Sequence, residues 1–222
     1  RVEGRNFELR KQVLEYDDVL NKQRETIYGL RQKLLMGADL KDQVMEALRA
    51  VIDRLVLAHT DARLPDEWDY QSILSSAEQL FLPAKMLTGK KLEAAAGGDP
   101  EQLKEYLWNA ATDFYAEKEV RTGAERLRAF ERYVMLRTID RLWIEHLQNM
   151  DDLRDGIGLR AYGQQDPLTV YKIESYQMFQ DLLDAIEEDV VRYVFKIELT
   201  QEGLPAQQRV RNIVTNRGED GE

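Results

Sequence analysis

The stretch LRTIDRLWIEHLQNMDDLRDGIGLRAYGQQDPLTVYKIESYQMF, residues 136–179, predicts two helices joined by a loop. In its first half, apolar residues recur every three or four positions, as they do along one face of an α-helix. A second series with the same spacing follows Pro167 and predicts a helix from Leu168 to Leu199. Three glycines and this proline separate the two series, and such a composition is typical of a turn. We therefore expect two antiparallel helices that meet at a loop from Arg154 to Pro167.

The segments before this hairpin also have helical patterns. Apolar residues spaced by threes and fours predict one long amphipathic helix from Asn6 to Met36, in which Gln23 fills an otherwise apolar position. Gly37 predicts the end of that helix, and the Ala-Asp pair that follows it predicts the cap of the next one. Shorter helical patterns fill residues 41–122 and form a small insert, with breaks expected at Pro83 and at the turn of residues 97–100.

The predicted fold is all-α and elongated. Strand patterns are nearly absent, and three helical patterns of about 30 residues exceed the ~11-residue mean of globular proteins. After Thr200 the chain becomes polar, which predicts a linker or a flexible end.

Composition excludes several classes of function. The 222 residues include no cysteine, so neither a disulfide nor a thiolate metal site can form. The net charge of −10 disfavours nucleic-acid binding, because phosphate contacts need a basic surface. No apolar run approaches the ~18 residues that cross a membrane. Because the chain begins with Arg1 inside a helical pattern, we expect it to be a fragment of a longer protein.

The sequence predicts no catalytic, nucleotide or metal site. His59 and His146 are the only histidines, and neither follows a glutamate by three positions, so a Glu-x-x-His di-metal site is excluded. We expect both to pack or to form hydrogen bonds. Adjacent carboxylates such as Asp151 and Asp152 point about 100° apart on a helix and do not clamp one substrate atom. A Gly-x-x-x-x-Gly-Lys-Ser/Thr loop is absent, so ATP has no P-loop here.

The loop between the hairpin helices is the strongest candidate for a binding surface. Its sequence predicts that Ile157, Leu159 and Tyr162 are exposed among glycines. An exposed tyrosine contacts both apolar and polar surfaces at a low entropic cost, which suits a contact with varied polypeptides. The alternative is that Tyr162 packs back onto its own helices.

Three stretches resemble SecA, the ATP-driven motor of the general secretion pathway. RVEGRNFELRKQVLEYDDVLNKQRETIY, residues 1–28, is similar to the start of its helical scaffold domain. Residues 136–179 resemble its two-helix finger. Residues 41–122 are similar to its helical wing domain mainly in position and length, with Trp68 and the TGAERL stretch from Thr122 as weaker matches.

The resemblance implies a division into segments. Residues 1–40 would be the first part of the scaffold domain and residues 41–122 the wing domain. Residues 123–199 would be the second part of the scaffold, including the finger at about 136–179. Residues 200–222 would be a flexible C-terminal linker.

The resemblance also implies roles for individual residues. Tyr162 matches the fingertip tyrosine that contacts the translocating polypeptide, and Trp143 matches a tryptophan of the first finger helix. The residues that we assign to the polypeptide-contacting fingertip are Tyr162, Ile157, Leu159 and Arg160. Those that we assign to coupling between finger and scaffold are Trp143, Arg154 and Asp151.

The function implied is that of a non-catalytic segment that couples ATP hydrolysis in upstream domains to the movement of unfolded preproteins through the SecYEG channel. The chain itself would bind no cofactor, whereas the parent protein would bind ATP and Mg²⁺. Its partners would be SecY, preproteins, the other domains of the motor, an anionic membrane surface and a second copy in a homodimer, with no nucleic acid. We expect a cytoplasmic location, peripheral to the inner face of the cell membrane. The family's C-terminal Cys and His zinc cluster has no counterpart here.

Two other readings of the sequence remain. A free-standing helical adaptor would bind partner helices through its exposed apolar seams, and it should have its own initiator and N-cap. A hydrolase that uses paired carboxylates is disfavoured by their spacing, and turnover by the isolated chain would reveal it.

Overall fold

A computed structural model describes residues 2–37, 39–61, 64–160 and 166–199, with the side chains of residues 2–12 and 158–160 excepted. Over these ranges the fold is all-α, as predicted, and includes no strand. The helices are α1 Val2–Leu35, α2 Leu40–Thr60, α3 Tyr70–Leu80, α4 Gly89–Ala96, α5 Pro100–Thr122, α6 Ala124–Arg160 and α7 Pro167–Lys196, with a 3₁₀ turn at Pro65–Glu67.

The predicted break between the first two helices is confirmed. Gly37 has φ of 91°, a backbone conformation that favours glycine, and α1 ends two residues before it. The Asp39 side chain then accepts hydrogen bonds from the backbone N–H groups of Lys41 and Asp42 at 3.1 and 3.4 Å. These bonds satisfy two backbone N–H groups that have no partner within α2, so α2 begins where the pattern predicts.

Helices α3, α4 and α5 follow the breaks expected from proline and glycine. The segment around Pro83 separates α3 from α4, and Gly97 ends α4 in the left-handed conformation at φ of 54°. Asp99 then caps α5 by accepting from the backbone N–H of Glu101 at 2.9 Å. Each helix of this insert is therefore delimited by local chemistry that is visible in the sequence.

One continuous apolar core joins the insert to the long helices. Helix α2 packs against α5 on one side and against α7 on the other, so it connects the predicted wing to the predicted scaffold. The core includes the interior positions of all seven helices. Along α1, Ile27 and Leu34 are buried, but Val13 is 47% exposed although it belongs to the predicted apolar seam. The carboxyl-terminal half of α1 thus enters this core.

Helices α6 and α7 form the predicted antiparallel hairpin. Ring contacts join His146 to Phe179, and Arg141 forms an ion pair with Asp189, so residues later in α6 meet residues earlier in α7. Helix α6 has 37 residues and is therefore about 55 Å long. A helix of this length is a rigid strut that extends beyond its contacts with the insert.

The predicted loop begins too early. Helix α6 continues through Gly156 and Gly158 to Arg160, and α7 begins at Pro167. Glycine costs about 1 kcal/mol in a helix interior relative to alanine. The burial of Ile157, which is 6% exposed, offsets that cost because it packs against the neighbouring helix. Asp166 then caps α7 by accepting from the backbone N–H of Thr169 at 3.0 Å.

The end of α7 is set by a residue on another helix. The pattern predicts a helix through Leu199, whereas α7 ends at Lys196. Lys118 on α5 is fully buried, and its Nζ donates to the carbonyl oxygens of Phe195 at 3.2 Å and Ile197 at 2.6 Å. Carbonyl groups at a helix end have no partner within the helix, so this lysine satisfies two of them.

Candidate functional site at the hairpin

A small apolar cluster holds the loop end of the hairpin. The buried members of this cluster are Met150, Leu153, Ile157 and Tyr171. Helix α1 joins it through Tyr16, whose ring lies edge-on to that of Tyr171 with 4.7 Å between the centroids. Residues near the loop therefore contact α1 directly, so a movement of α1 would displace this end of the hairpin.

The structure places only one predicted fingertip side chain. Ile157 is buried in this cluster, so the expectation that it is exposed is wrong. Its packing supports the end of the hairpin, from which we infer that it holds the loop in position. The side chains of Leu159 and Arg160, and the whole of Tyr162, lie outside the described residues.

The three predicted coupling residues lie at different depths. Trp143 is 7% exposed and stacks on His146, with ring centroids 5.5 Å apart and an interplanar angle of 26°. Arg154 reaches α1, where its Nη1 lies 3.5 Å from Oδ1 of Asp17. Both members of this ion pair are about half exposed, so the pair contributes little to stability. Arg154 thus lies at the interface with α1, whereas Trp143 packs on His146 within α6.

Asp151 is exposed, and its charge acts on Tyr171 of the cluster. Burial raises the pKa of the Tyr171 phenol, the charge of Arg154 opposes that shift, and the charge of Asp151 adds to it. Burial likewise raises the pKa of Tyr16. Both phenols therefore remain neutral near pH 7, as their positions in an apolar cluster require.

A buried polar group joins α1 to both hairpin helices. Gln23 is 6% exposed, and its Nε2 donates to the carbonyl oxygen of Ser175 on α7 at 3.1 Å. This bond fixes the amide orientation, so Gln23 Oε1 must accept from His146 Nε2–H on α6, at 2.8 Å. Burial lowers the pKa of His146, which favours the neutral ring. The position of His146 agrees with the packing and hydrogen-bonding role predicted for it.

The role of Gln23 was not predicted from the sequence. The signal was present, because Gln23 is the polar residue in an apolar seam of α1. A lone polar side chain at such a position is either solvated or bonded to a partner on another helix. The choice between these depends on Ser175 and His146, which lie more than 120 residues away in the chain.

A second polar cluster lies where the insert meets the hairpin. The Tyr115 hydroxyl donates to Glu131 Oε1 at 2.6 Å, and Arg128 Nη1 lies 2.9 Å from Glu131 Oε2. Glu119 accepts from Lys41 on α2 at 2.8 Å and also pairs with Arg128. Burial raises the pKa of Glu131, while the hydrogen bond from Tyr115 and the charge of Arg128 lower it. These bonds connect α2, α5 and α6.

In the parts of the chain that the structure describes, no three His, Asp or Glu side chains are grouped to hold a metal ion. None of the described helices combines the length and the apolar character needed to cross a membrane.

Comparison with known proteins identifies the family. Residues 1–198 match the family described as the SecA Wing and Scaffold domain. This chain belongs to that family. The assignment agrees with the resemblance carried by residues 1–28 and 136–179, and with the all-α fold of long helices around a helical insert. The boundaries between the wing and the two parts of the scaffold stay predictions.

The chain is similar to several bacterial proteins that bear the name protein translocase subunit SecA. The chain is 47% identical over 218 residues to that of Carboxydothermus hydrogenoformans and 46% identical over 219 residues to that of Pelotomaculum thermopropionicum. It is 40% identical over 222 residues to that of Acetivibrio thermocellus. The matches cover 98–99% of this chain but only 24% of each relative. The chain thus spans about a quarter of the length of the curated relatives it matches.

Proposed function

We propose that this chain is the scaffold and channel-engaging segment of a SecA protein translocase. In that role it transmits the movement of ATP-hydrolysing domains outside the chain to unfolded preproteins in the SecYEG channel. The chain does not perform the hydrolysis itself. The observation that carries this proposal is the junction at which one long helix, α1, contacts both helices of the hairpin near its loop.

The geometry supports transmission because each part is stiff. A helix moves as a rod when its side chains are packed, and packed interfaces shift between discrete arrangements rather than deforming continuously. Helix α1 has 34 residues, so it is about 51 Å long, and it contacts the hairpin at several positions between Tyr16 and Arg31. A displacement applied elsewhere on α1 would therefore move the loop at residues 161–166, where we place the contact with the preprotein.

The same proposal sets the partners and cofactors. We expect ATP and Mg²⁺ to bind in other domains of the motor, because this sequence has no P-loop motif. The partners that we propose are SecY, the preprotein, those other domains, a second motor copy and an anionic membrane surface. The proposed location is cytoplasmic, at the inner face of the cell membrane.

The test substitutes the proposed fingertip in a complete SecA that carries this segment. We expect Tyr162→Ala to lower preprotein translocation at least tenfold while basal ATP hydrolysis changes less than twofold, because the loop contacts substrate and not nucleotide. Tyr162→Phe is the matched control, since it retains the ring, and it should retain most of the translocation. Equal losses of translocation and hydrolysis in Tyr162→Ala would contradict the proposal.

A further inference from the structure

The buried amide of Gln23 is the least expected side chain in the interface between α1 and the hairpin. It stands in an apolar series of α1, with Leu20 preceding it and Ile27 following it on the same face. Burial of an amide is unfavourable unless its donors and acceptors are bonded. Here both ends are bonded, one to α6 and one to α7. The amide therefore fits this interface in one position only.

Apolar contacts alone would not define that position. If α1 slid along the hairpin by one turn, about 5.4 Å, its seam would again present apolar residues to apolar residues. Gln23 would then face no bonding partner, and His146 Nε2–H would lose its acceptor. A single buried polar residue fixes the register of paired helices in the same way in coiled coils.

Ser175 provides the close approach that this bond requires. It is fully buried, and its small side chain is turned back to donate to the carbonyl of Lys172 at 3.1 Å. The carbonyl of Ser175 has two lone pairs, so it can accept from Gln23 as well as from its own helix. On the opposite side, the rings of Trp143 and Phe179 contact His146 and restrict its rotation.

We propose that Gln23 is a positioning residue that fixes the register of α1 against the α6–α7 hairpin, and that this register sets how far movement of α1 displaces the loop. The second half of this inference rests on the proposed coupling function. The first half is a statement about the fold, so it can be tested without translocation.

The register is measured by the distance between two spin labels. The chain has no cysteine, so Glu25→Cys on α1 and Glu125→Cys on α6, both at exposed positions, label one pair of sites only. The contacts of α1 with Asp140, His146 and Arg154 make the two helices antiparallel and place Glu25 about 30 Å along the axis from Glu125, so a slide of α1 changes the distance between the labels almost in full. We expect one narrow distance distribution in the otherwise unchanged chain. Gln23→Leu should add a second population shifted by about one helical turn, ~5 Å. Gln32→Leu, an equivalent change at an exposed position of α1, should leave the distribution unchanged. An unchanged distribution in Gln23→Leu would overturn the proposal.

Loss of stability is separated from loss of register by a double variant. Gln23→Leu alone leaves the buried His146 Nε2–H without an acceptor, so it should lower the melting temperature. Gln23→Leu combined with His146→Leu removes both side-chain partners, so no buried donor on α6 is left unbonded and the melting temperature should recover. The second distance population should remain, and in a complete SecA the preprotein moved per ATP hydrolysed should stay at least threefold below normal. Recovery of both quantities with the melting temperature would reduce Gln23 to a stabilising residue and overturn the inference.

Failure of this inference is distinguishable from failure of the proposed function. If Tyr162→Ala lowers translocation while Gln23→Leu affects neither the distances nor the yield per ATP, the register inference alone is wrong. If the distances shift and neither variant affects translocation, Gln23 sets the register but the coupling function is wrong.

Discussion

Replacing Lys118 by methionine tests how the end of the hairpin is attached to the insert. Lys118 is fully buried on α5, and its ammonium group donates to two carbonyl groups at the end of α7. Methionine has a similar length and no donor, so Lys118→Met removes both bonds with little change in packing. The carbonyls of Phe195 and Ile197 would then have no partner.

The magnitude follows from two opposing effects. Hydrogen bonds from a charged donor contribute about 1.5–3 kcal/mol each, so two bonds contribute about 3–6 kcal/mol. Burial lowers the pKa of Lys118, which is the signature of a desolvation cost that methionine does not incur. We expect Lys118→Met to lower the free energy of unfolding by about 2–4 kcal/mol, and the melting temperature by about 5–15 °C.

The assay is urea unfolding of the chain followed by circular dichroism, together with hydrogen exchange of the α7 amides. Lys90→Met, at an exposed position of α4, is the matched control and should change the free energy of unfolding by less than about 0.5 kcal/mol. Exchange should accelerate most in the last turn of α7, because its carbonyl groups lose their partners. A Lys118→Met chain as stable as the control would refute the reasoning.

Two further predictions concern the hairpin. Burial lowers the pKa of His146 below its ordinary value. As the pH falls, His146 therefore binds a proton in the unfolded chain before it does so in the folded chain. The free energy of unfolding should decrease below about pH 6.5, by at most ~1.4 kcal/mol per pH unit. The free energy of unfolding, measured from pH 5 to 8, should lose this slope in the His146→Gln variant and keep it in the His59→Gln control. A slope that persists in His146→Gln would count against the prediction. Ile157→Ala removes buried side-chain atoms near the loop and should lower the free energy of unfolding by about 2 kcal/mol. The rate of hydrogen exchange should increase more around Leu153, in the small cluster, than around Leu127, in the main core. An equal increase at both places would show that the two apolar clusters are not independent.

Local chemistry made much of the fold predictable. Asp39 and Asp99 cap the helices that follow them, and Gly37 ends α1 as the sequence indicates. The periodicity of the long segments predicted the hairpin because an elongated helix repeats its pattern over many turns. The helix boundaries that failed were those fixed by distant residues. Ile157 extends α6 past two glycines by packing, and Lys118 fixes the end of α7 from another helix.

The candidate site was predictable only in part. Trp143 and Arg154 were assigned through the resemblance. Arg154 lies at the interface with α1, and Trp143 packs on His146, which bonds to Gln23 of α1. Gln23 was missed because its role depends on His146 and on the backbone of Ser175, and neither is near it in the sequence. The exposure of Ile157 was mispredicted for a related reason, since glycine neighbours indicate a loop unless a tertiary contact outweighs their cost.

The central claim is that the hairpin loop contacts the moving preprotein, and site-specific photo-cross-linking tests it most directly. A photoreactive residue at position 162 of a complete SecA would be irradiated with a preprotein stalled in a reconstituted SecYEG channel. The control is the same residue at position 144, where Ile144 is exposed on α6 about 24 Å from the end of that helix. We predict a preprotein adduct from position 162 that requires ATP, and none from position 144. Equal adducts from both positions, or none from position 162 while translocation proceeds, would contradict the claim.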